Sequence, residues 1–202
     1  MKTIIIATKN KGKVKEFEAF FEPQGYTVKT LLDYPEIPDI EETGTTFEAN
    51  ARLKAETIAN KLQTIVLADD SGLMVRALDW QPGVYSARYA GEPSNSAANN
   101  AKLLAELGTL KTQDRFAKFH CTLVVAAPNT PSLVVQGEVE GEIAEVPSGE
   151  GGFGYDPLFF VPSLNKTFGE VEPSVKNSMS HRAVAIQALM RQWEEWKQQI
   201  QA

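Results

Sequence analysis

The sequence predicts a mixed α/β fold. Short apolar runs, which are typical of buried strands, alternate along the chain with segments whose apolar residues recur at helical spacing. Two longer strands, residues 115–127 and 133–139, are separated by a turn at residues 128–131, which favours an antiparallel pair. Strands that alternate with helices favour parallel pairing, so the sheet is expected to be mixed.

Each predicted element has its own local signal. The strands are expected at residues 3–7, 26–32, 65–68, 115–127, 133–139 and 158–161. The helices are expected at residues 14–21, 47–62, 95–107 and 180–200. Pro23 and Gly25 end the first helix, residues 45–48 fit a capping box for the second, Gly108 ends the third and Ser180 can cap the last.

Composition narrows the class of protein. The chain has 202 residues, of which 43% are hydrophobic and 23% charged, and it contains no apolar run long enough for a transmembrane helix. Its net charge of −6 is unlike a nucleic-acid-binding protein, which needs a basic footprint. The N-terminal apolar stretch is too short for a secretory signal, and the single cysteine, Cys121, suits a reducing compartment. We therefore expect a cytoplasmic protein that binds neither membranes nor nucleic acid.

The most informative stretch is residues 65–73. Four apolar residues predict a buried strand, and Asp69, Asp70, Ser71 and Gly72 follow at its expected end. Adjacent residues of an extended chain point to opposite faces, so the two carboxylates are expected to have different roles. Paired carboxylates suit a hard cation such as Mg²⁺. The alternative is an ordinary polar turn, because Asp, Ser and Gly are common turn residues.

A basic loop follows the first strand. Its polar residues are Thr8, Lys9, Asn10, Lys11, Gly12 and Lys13. A strand, a short basic loop and a helix can hold a phosphate, because backbone N–H groups and the helix dipole point at the anion. The spacing is not that of a P-loop, and a solvated lysine-rich turn is the alternative. In the second helix, Lys54 lies beside the apolar face, where it either reaches a site or flanks the core.

Two later stretches carry unusual residues. Residues 149–157 hold four glycines around Phe153 and Tyr155, which suits close approach to a flat ligand, although a flexible glycine loop is the alternative. His181 and Arg182 occupy the first turn of the last helix, where cationic side chains oppose the helix dipole. A broken local rule of this kind is often found at functional sites.

Taken together, six motifs resemble the inosine triphosphate pyrophosphatase family over nearly the whole chain. They are residues 7–13 (ATKNKGK), 42–51 (ETGTTFEANA), 68–73 (ADDSGL), 82–89 (PGVYSARY), 152–157 (GFGYDP) and 180–182 (SHR). The resemblance implies cleavage of XTP, ITP and dITP to the monophosphate and pyrophosphate with Mg²⁺. It also implies a single domain over residues 1–202, with an elongated mixed sheet flanked by helices, two lobes around a central substrate cleft, and a homodimer.

The resemblance implies a role for each matching residue. Asp70 is expected to be the general base and to bind Mg²⁺ with Glu41 or Glu42, of which we choose Glu41. Thr8, Lys9, Asn10, Lys11, Gly12, Lys13, Lys54 and Ser71 are expected to bind the triphosphate. Phe153 is expected to stack on the purine. Asp156, together with the loop backbone at Gly154 and Tyr155, is expected to fix the purine edge. Lys176, His181 and Arg182 are expected to donate hydrogen bonds.

Two other functions remain open at this point. One is a related pyrophosphatase that acts on other modified nucleotides. The other is a nucleotide-binding protein without turnover, in which Asp70 only holds Mg²⁺.

Overall fold

A computed structural model describes residues 2–200 of the chain. Within that range the strands are Lys2–Ile6 (β1), Tyr26–Thr30 (β2), Val66–Val75 (β3), Phe116–Ala127 (β4), Thr130–Ile143 (β5), Phe159–Val161 (β6) and Lys166–Thr167 (β7). The α-helices in the same range are Lys11–Phe21 (α1), Phe47–Leu62 (α2), Ser96–Leu107 (α3), Pro173–Met179 (α4) and His181–Ile200 (α5). The predicted α/β class is confirmed.

The strands form one mixed sheet with the order β2-β1-β3-β4-β5-β6-β7. Strand β1 pairs in parallel with β2 and β3, whereas β5 with β6 and β6 with β7 are antiparallel. Only Pro128 and Asn129 separate β4 from its neighbour β5, and a link of two residues permits only an antiparallel pair.

The chain divides into two compact units. The first unit comprises Met1–Asp70, Cys121–Gly137 and Arg182–Ala202, and the second comprises Ser71–His120 and Glu138–His181. The expectation of one domain made of two lobes stays a prediction. None of the helices that the structure describes is long and apolar enough to cross a membrane.

The first unit buries both faces of its sheet. One apolar cluster joins α1 and α5 to β1 and β3 and includes Ile4, Ile6, Phe17, Phe21, Leu67, Leu189 and Trp193. The other joins α2 to the same strands and includes Ile5, Ala51, Ala55, Ile58, Val66 and Ala68. Successive residues of β1 and β3 therefore enter opposite clusters, as the side-chain alternation of a strand requires.

The second unit has its own core. Its buried residues include Leu73, Val75, Leu103, Leu107, Phe119, Phe159 and Phe168. The ring of Phe119 lies 4.4 Å from that of Phe159 and is parallel to that of Phe168 at 6.2 Å. Strand β4 supplies Phe119, and the short strand β6 supplies Phe159, so aromatic packing orders this part of the chain.

Two of the differences from the sequence prediction affect elements that carry candidate site residues. Strand β3 does not end at Asp69 but continues to Val75. It lies between β1 and β4, and pairing with a neighbouring strand outweighs the local turn preference of Asp, Ser and Gly. A short helix, α4, was not predicted, and Ser180 ends it directly before α5 begins at His181.

Candidate active site

The two central carboxylates lie just beyond the end of a neighbouring strand. Strand β1 ends at Ile6, which is paired with Leu67 of β3, and Asp69 and Asp70 follow two and three residues later. The basic loop begins where β1 ends. The carboxyl ends of parallel strands are where open α/β sheets place their sites, so the polar groups meet despite the wrong strand boundary.

Asp69 is fully compensated by cations. Its Oδ1 forms an ion pair with Lys13, and its Oδ2 accepts hydrogen bonds from Arg182 Nε at 3.0 Å and Cys121 Sγ at 3.1 Å. Burial acts to raise the pKa of Asp69, but Arg182 and Lys13 outweigh it and hold that pKa well below its usual value. Asp69 is therefore an ionised structural carboxylate that positions Lys13.

Asp70 has a different environment. It is 5% exposed, and its Oδ2 is buried without a hydrogen-bond partner among the residues that the structure describes. Burial raises the pKa of Asp70 to about 6, while Lys54 and Lys13 act to lower that pKa. A buried carboxylate oxygen without a partner is costly, so this atom is available for a ligand.

Lys54 and Glu42 join Asp70 in the first unit. Lys54 forms an ion pair with Glu42 and donates from Nζ to the backbone oxygen of Asp69 at 2.8 Å. Glu42 is half-buried and is one of the charges that act on Asp70, whereas Glu41 is exposed. The geometry thus favours Glu42 over Glu41 as the neighbour of Asp70.

The carboxylates fit a Mg²⁺ ion, which commonly takes one or two carboxylate ligands together with substrate phosphates and water. The orphaned Oδ2 of Asp70 and the nearby Glu42 supply hard oxygen donors. No group of three or more His, Cys, Asp or Glu side chains able to hold a metal occurs in the described part of the chain. A site built on two carboxylates would therefore need substrate or water oxygens to complete it.

The basic loop is ordered by its own side chains. Asn10 caps α1 by accepting hydrogen bonds from the backbone N–H groups of Gly12 at 2.9 Å and Lys13 at 3.2 Å. Thr8 Oγ1 accepts from the Asn10 backbone at 3.1 Å, and Lys9 pairs with Asp39 at 2.7 Å. Lys11 opens α1 and is exposed.

Asn10 therefore occupies the N–H groups that a phosphate would use. Binding through this helix end requires the anion to displace the Asn10 side chain or to use lysine side chains instead.

The glycine-rich stretch belongs to the second unit. Asp156 is buried, and its Oδ2 accepts from Lys176 Nζ at 2.6 Å and from the backbone N–H of Phe153 at 2.9 Å. The Lys176 ammonium also lies 4.6 Å from the centre of the half-buried Phe153 ring. Gly152 has a φ of +69°, and a Cβ atom there would overlap Asp156, so only glycine fits this position.

Tyr155, Gly154 and His181 are held by other contacts. The Tyr155 hydroxyl donates to the Ser86 carbonyl at 2.7 Å, and the Gly154 carbonyl accepts from Asn100 Nδ2 at 3.2 Å. His181 is buried, and its ring stacks on Phe119 at 4.8 Å. His181 therefore shares the second unit with Phe153, Asp156 and Lys176, as their predicted common role requires.

Arg182 is buried and forms ion pairs within the first unit. It is 1% exposed, it pairs with Asp69 and Glu16, and its guanidinium lies 5.7 Å from the Phe17 ring. These contacts make Arg182 a partner of Asp69 within the first unit, and its predicted role as a hydrogen-bond donor to the base stays a prediction. Ser71 lies in β3 directly after Asp70 and is half-buried, so its predicted contact with phosphate stays a prediction.

Comparison with known proteins decides the family. A sequence model of the Ham1 family matches residues 4–192 of the chain. The chain belongs to the Ham1 family. The resemblance inferred from the six motifs is therefore confirmed.

Relatives and solved structures agree with the Ham1 assignment. A dITP/XTP pyrophosphatase of Geobacillus kaustophilus is 56% identical over 195 residues, covering 96% of each chain. One from Listeria monocytogenes serovar 1/2a is 57% identical over 189 residues, covering 94% of this chain and 93% of that protein.

The solved structures cover nearly the whole chain as well. The Ham1 protein of Staphylococcus aureus has a TM-score of 0.84 at 46% identity, covering 96% of this chain and 99% of that one. A HAM1 protein from Coxiella burnetii has a TM-score of 0.86 at 39% identity, covering 96% of this chain and 100% of that one.

Some residues of this Ham1 site were not found from the sequence. Glu16 and Cys121 contact the Arg182–Asp69 pair, and Ser86 and Asn100 hold the glycine-rich stretch. Ser86 lies in one of the six motifs, which was a usable signal. Glu16 and Asn100 lie on helix surfaces where polar residues are ordinary, so nothing in their local sequence marks them.

Proposed function

We propose that this chain is a nucleoside triphosphate pyrophosphatase that hydrolyses XTP, ITP and dITP to the monophosphate and pyrophosphate. Its relatives named dITP/XTP pyrophosphatases, at more than half sequence identity, support this activity. The structural observation that carries the proposal is Asp70, a buried carboxylate with an orphaned oxygen beside Lys54 and Lys13.

The first unit supplies the groups that the reaction needs. Lys13 and Lys54 would bind phosphate oxygens. Ion pairs with Asp69 and Glu42 hold the two ammonium groups near Asp70, and a triphosphate, which carries more negative charge than a carboxylate, can attract them away from these partners. Asp70 would accept a proton from the water that attacks the α–β phosphoanhydride. The bridging P–O bond would break, and pyrophosphate would leave. Asp69, neutralised by Arg182, would keep Lys13 in place.

Asp70 and Glu42 would hold Mg²⁺. When bound, the ion lowers the pKa of a coordinated water and offsets phosphate charge. We propose Glu42 in place of the Glu41 chosen from the sequence, because Glu42 is the half-buried one of the two and acts on Asp70.

The second unit supplies groups suited to a 6-oxopurine. Phe153 offers a stacking face beside the Lys176–Asp156 pair, and Lys176 and His181 are potential donors. Donors aimed at the 6-position form hydrogen bonds to an oxo group, which is an acceptor. The same donors are left unpaired when the amino group of adenine, itself a donor, lies opposite them. A site whose polar groups go unpaired rejects the wrong ligand strongly.

The experiment is pyrophosphate release from ITP, XTP, dITP, GTP, ATP and dTTP, with Mg²⁺ and with a chelator. Wild type should turn over the first three and release pyrophosphate rather than single phosphate. Asp70→Asn should lose about 10²- to 10⁴-fold in turnover, the usual contribution of a general base, and still bind nucleotide. Asp114→Asn, at an exposed position in the second unit, is the matched control.

Each other outcome has a definite meaning. Wild-type rates in Asp70→Asn would remove Asp70 from the base role. Binding without turnover by wild type would favour a non-catalytic nucleotide-binding protein, and preference for another nucleotide would favour a related pyrophosphatase. Glu42→Gln should raise the Mg²⁺ concentration for half-maximal rate more than Glu41→Gln does, and the reverse order would restore Glu41.

We also propose that the protein works in the cytoplasm as a homodimer. The single cysteine, which is free and buried, fits a reducing compartment. Trp193 and Trp196 are buried in the first unit, and their indole N–H groups donate to Tyr26 and Pro131. The dimer therefore rests on family resemblance, and light scattering of the purified chain tests it: a monomer mass would refute it.

A further inference from the structure

The motif at residues 82–89 has no part in the chemistry described above, yet it contacts the glycine-rich stretch. Its central part is a 3-10 helix, Gly83–Arg88, that contains the buried Ser86. The Ser86 hydroxyl donates to the Gly83 carbonyl at 2.6 Å and accepts from the backbone N–H of Leu73 in β3 at 2.9 Å. Ser86 thereby fixes this helix to a central strand of the sheet.

Helix α3 fixes the same segment from another direction. Asn99 is buried, its Nδ2 donates to the Ala87 carbonyl at 3.0 Å, and its Oδ1 accepts from the Ala90 backbone at 2.8 Å. The neighbouring Asn100 donates to Gly154 at 3.2 Å, and the Tyr155 hydroxyl reaches the Ser86 carbonyl at 2.7 Å. We call the Ser86 carbonyl, the Asn100 amide and the Tyr155 hydroxyl the loop anchor.

The loop anchor acts where the chain most needs support. Gly149, Gly152 and Gly154 all have positive φ angles, and glycine has more conformational freedom to lose than any other residue. Tyr155 and Gly154 directly follow Phe153, the predicted stacking residue. Fixing them before ligand arrives lowers the ordering cost of binding and keeps Phe153 and Asp156 in one arrangement.

We propose that the loop anchor makes Ser86, Asn100 and Tyr155 positioning residues that set base selectivity without donating to the base. This inference rests on the proposed function for its selectivity part. A rigid loop holds its donors where only a 6-oxo group satisfies them, whereas a mobile loop can retreat from adenine and avoid the penalty. The Tyr155 hydroxyl therefore supports the segment that carries Phe153 and does not contact the purine.

The first test needs no substrate. Amide hydrogen exchange of peptides covering residues 148–159 is compared in wild type, Tyr155→Phe and Asn100→Asp. Tyr155→Phe removes only the hydroxyl, and Asn100→Asp replaces the donor with an acceptor that faces the Gly154 carbonyl. Both variants should exchange faster in this segment. Tyr89→Phe is the matched control, because it removes a hydroxyl paired with Glu106 in the same unit.

The second test measures kcat/KM for ITP and for ATP in the same four proteins. The ITP-to-ATP ratio should fall about fivefold in Tyr155→Phe, the size expected for one hydrogen bond, and stay at the wild-type value in Tyr89→Phe. If these residues had a purely structural role, kcat/KM for ITP and for ATP would fall in proportion, and the ITP-to-ATP ratio would not change.

The outcomes separate this inference from the proposed function. Unchanged exchange in both variants overturns the loop anchor whatever the activity is. Faster exchange with an unchanged ratio overturns its role in selectivity. A wild type with no preference for ITP overturns the proposed function and the selectivity claim together, while the exchange data still decide whether these residues hold the loop.

Discussion

Replacing Arg182 with methionine tests whether this residue positions Asp69 or donates a hydrogen bond to the base. The substitution keeps an unbranched side chain of similar length and removes the cation that pairs with Asp69 and Glu16. If Arg182 positions Asp69, the variant should have a lower Tm, and this change should not depend on the substrate. If Arg182 is a donor to the base, the loss appears as weaker use of ITP in a stable protein.

The magnitude follows from burial. Removing one partner of a buried ion pair costs about 3–5 kcal/mol, because the remaining charge is buried without compensation. Lys13 still pairs with Asp69 in the variant, so we expect the lower end, about 3 kcal/mol. For a chain of 150–250 residues each kcal/mol shifts Tm by about 2–4 °C, so Tm should fall by about 6–12 °C.

The assay is thermal unfolding without nucleotide, followed by kcat/KM for ITP and ATP below the unfolding range. Arg191→Met is the matched control, because Arg191 lies on the same helix α5 and is exposed. Its Tm should stay within about 2 °C of wild type, since surface substitutions cost little.

A double-variant cycle strengthens the test. Arg182→Met combined with Asp69→Asn should lose less stability than the sum of the single variants, because each single variant already removes the Arg182–Asp69 ion pair and the double variant removes it only once. A small Tm change for Arg182→Met together with a selective loss of ITP turnover would refute the positioning role and restore the base donor.

Three further predictions follow from the site. Lys13→Ala should slow hydrolysis of every triphosphate alike and lower Tm by several degrees, because it removes a phosphate ligand and a partner of buried Asp69; a base-dependent effect would contradict this. His181→Ala should weaken ITP use far more than ATP use, whereas equal losses would move His181 out of the base pocket. Burial raises the pKa of the Cys121 thiol, with Asp69 adding to that rise, so thiol reagents should label Cys121 only after unfolding, and labelling of the native protein would refute its burial.

Local patterns predicted the parts of the fold that depend on local physics. Asn95 and Gly108 bound α3 where predicted, whereas Thr46 caps α2 one residue later than the predicted capping box of residues 45–48 requires. The alternation of a strand also predicted that Asp69 and Asp70 would differ, and they do: one is fully paired and the other has an orphaned oxygen. These successful predictions need only the two-residue alternation of side chains along a strand and the preference of particular residues for helix ends.

The contacts of Arg182 and the length of strand β3 depend on residues distant in sequence, which local patterns do not show. The order of side chains at the start of α5 marked Arg182 as unusual, but its partners lie 113 and 166 residues earlier in the chain. Strand β3 runs past its predicted end because β4, some forty residues later, lies beside it. Glu41 and Glu42 sit in a segment without regular structure, so no periodicity shows which of them faces Asp70.

The charges of the first unit explain why its carboxylates and lysines belong together. The cluster described above contains the cations Lys13, Lys54 and Arg182 and the carboxylates of Glu16, Glu42, Asp69 and Asp70. Three cations against four carboxylates leave no excess positive charge with which to hold an anion as highly charged as a triphosphate.

Bound at the proposed site, Mg²⁺ would change that balance, because it would add two positive charges beside Asp70 and Glu42 and would weaken the ion pair between Glu42 and Lys54. Arg182 contributes in the same direction: by neutralising Asp69 from the buried side, it lets Lys13 turn to a phosphate without leaving a buried charge unpaired. The proposed dependence on Mg²⁺ and the burial of Arg182 would therefore serve one requirement, which is to free Lys13 and Lys54 for the substrate.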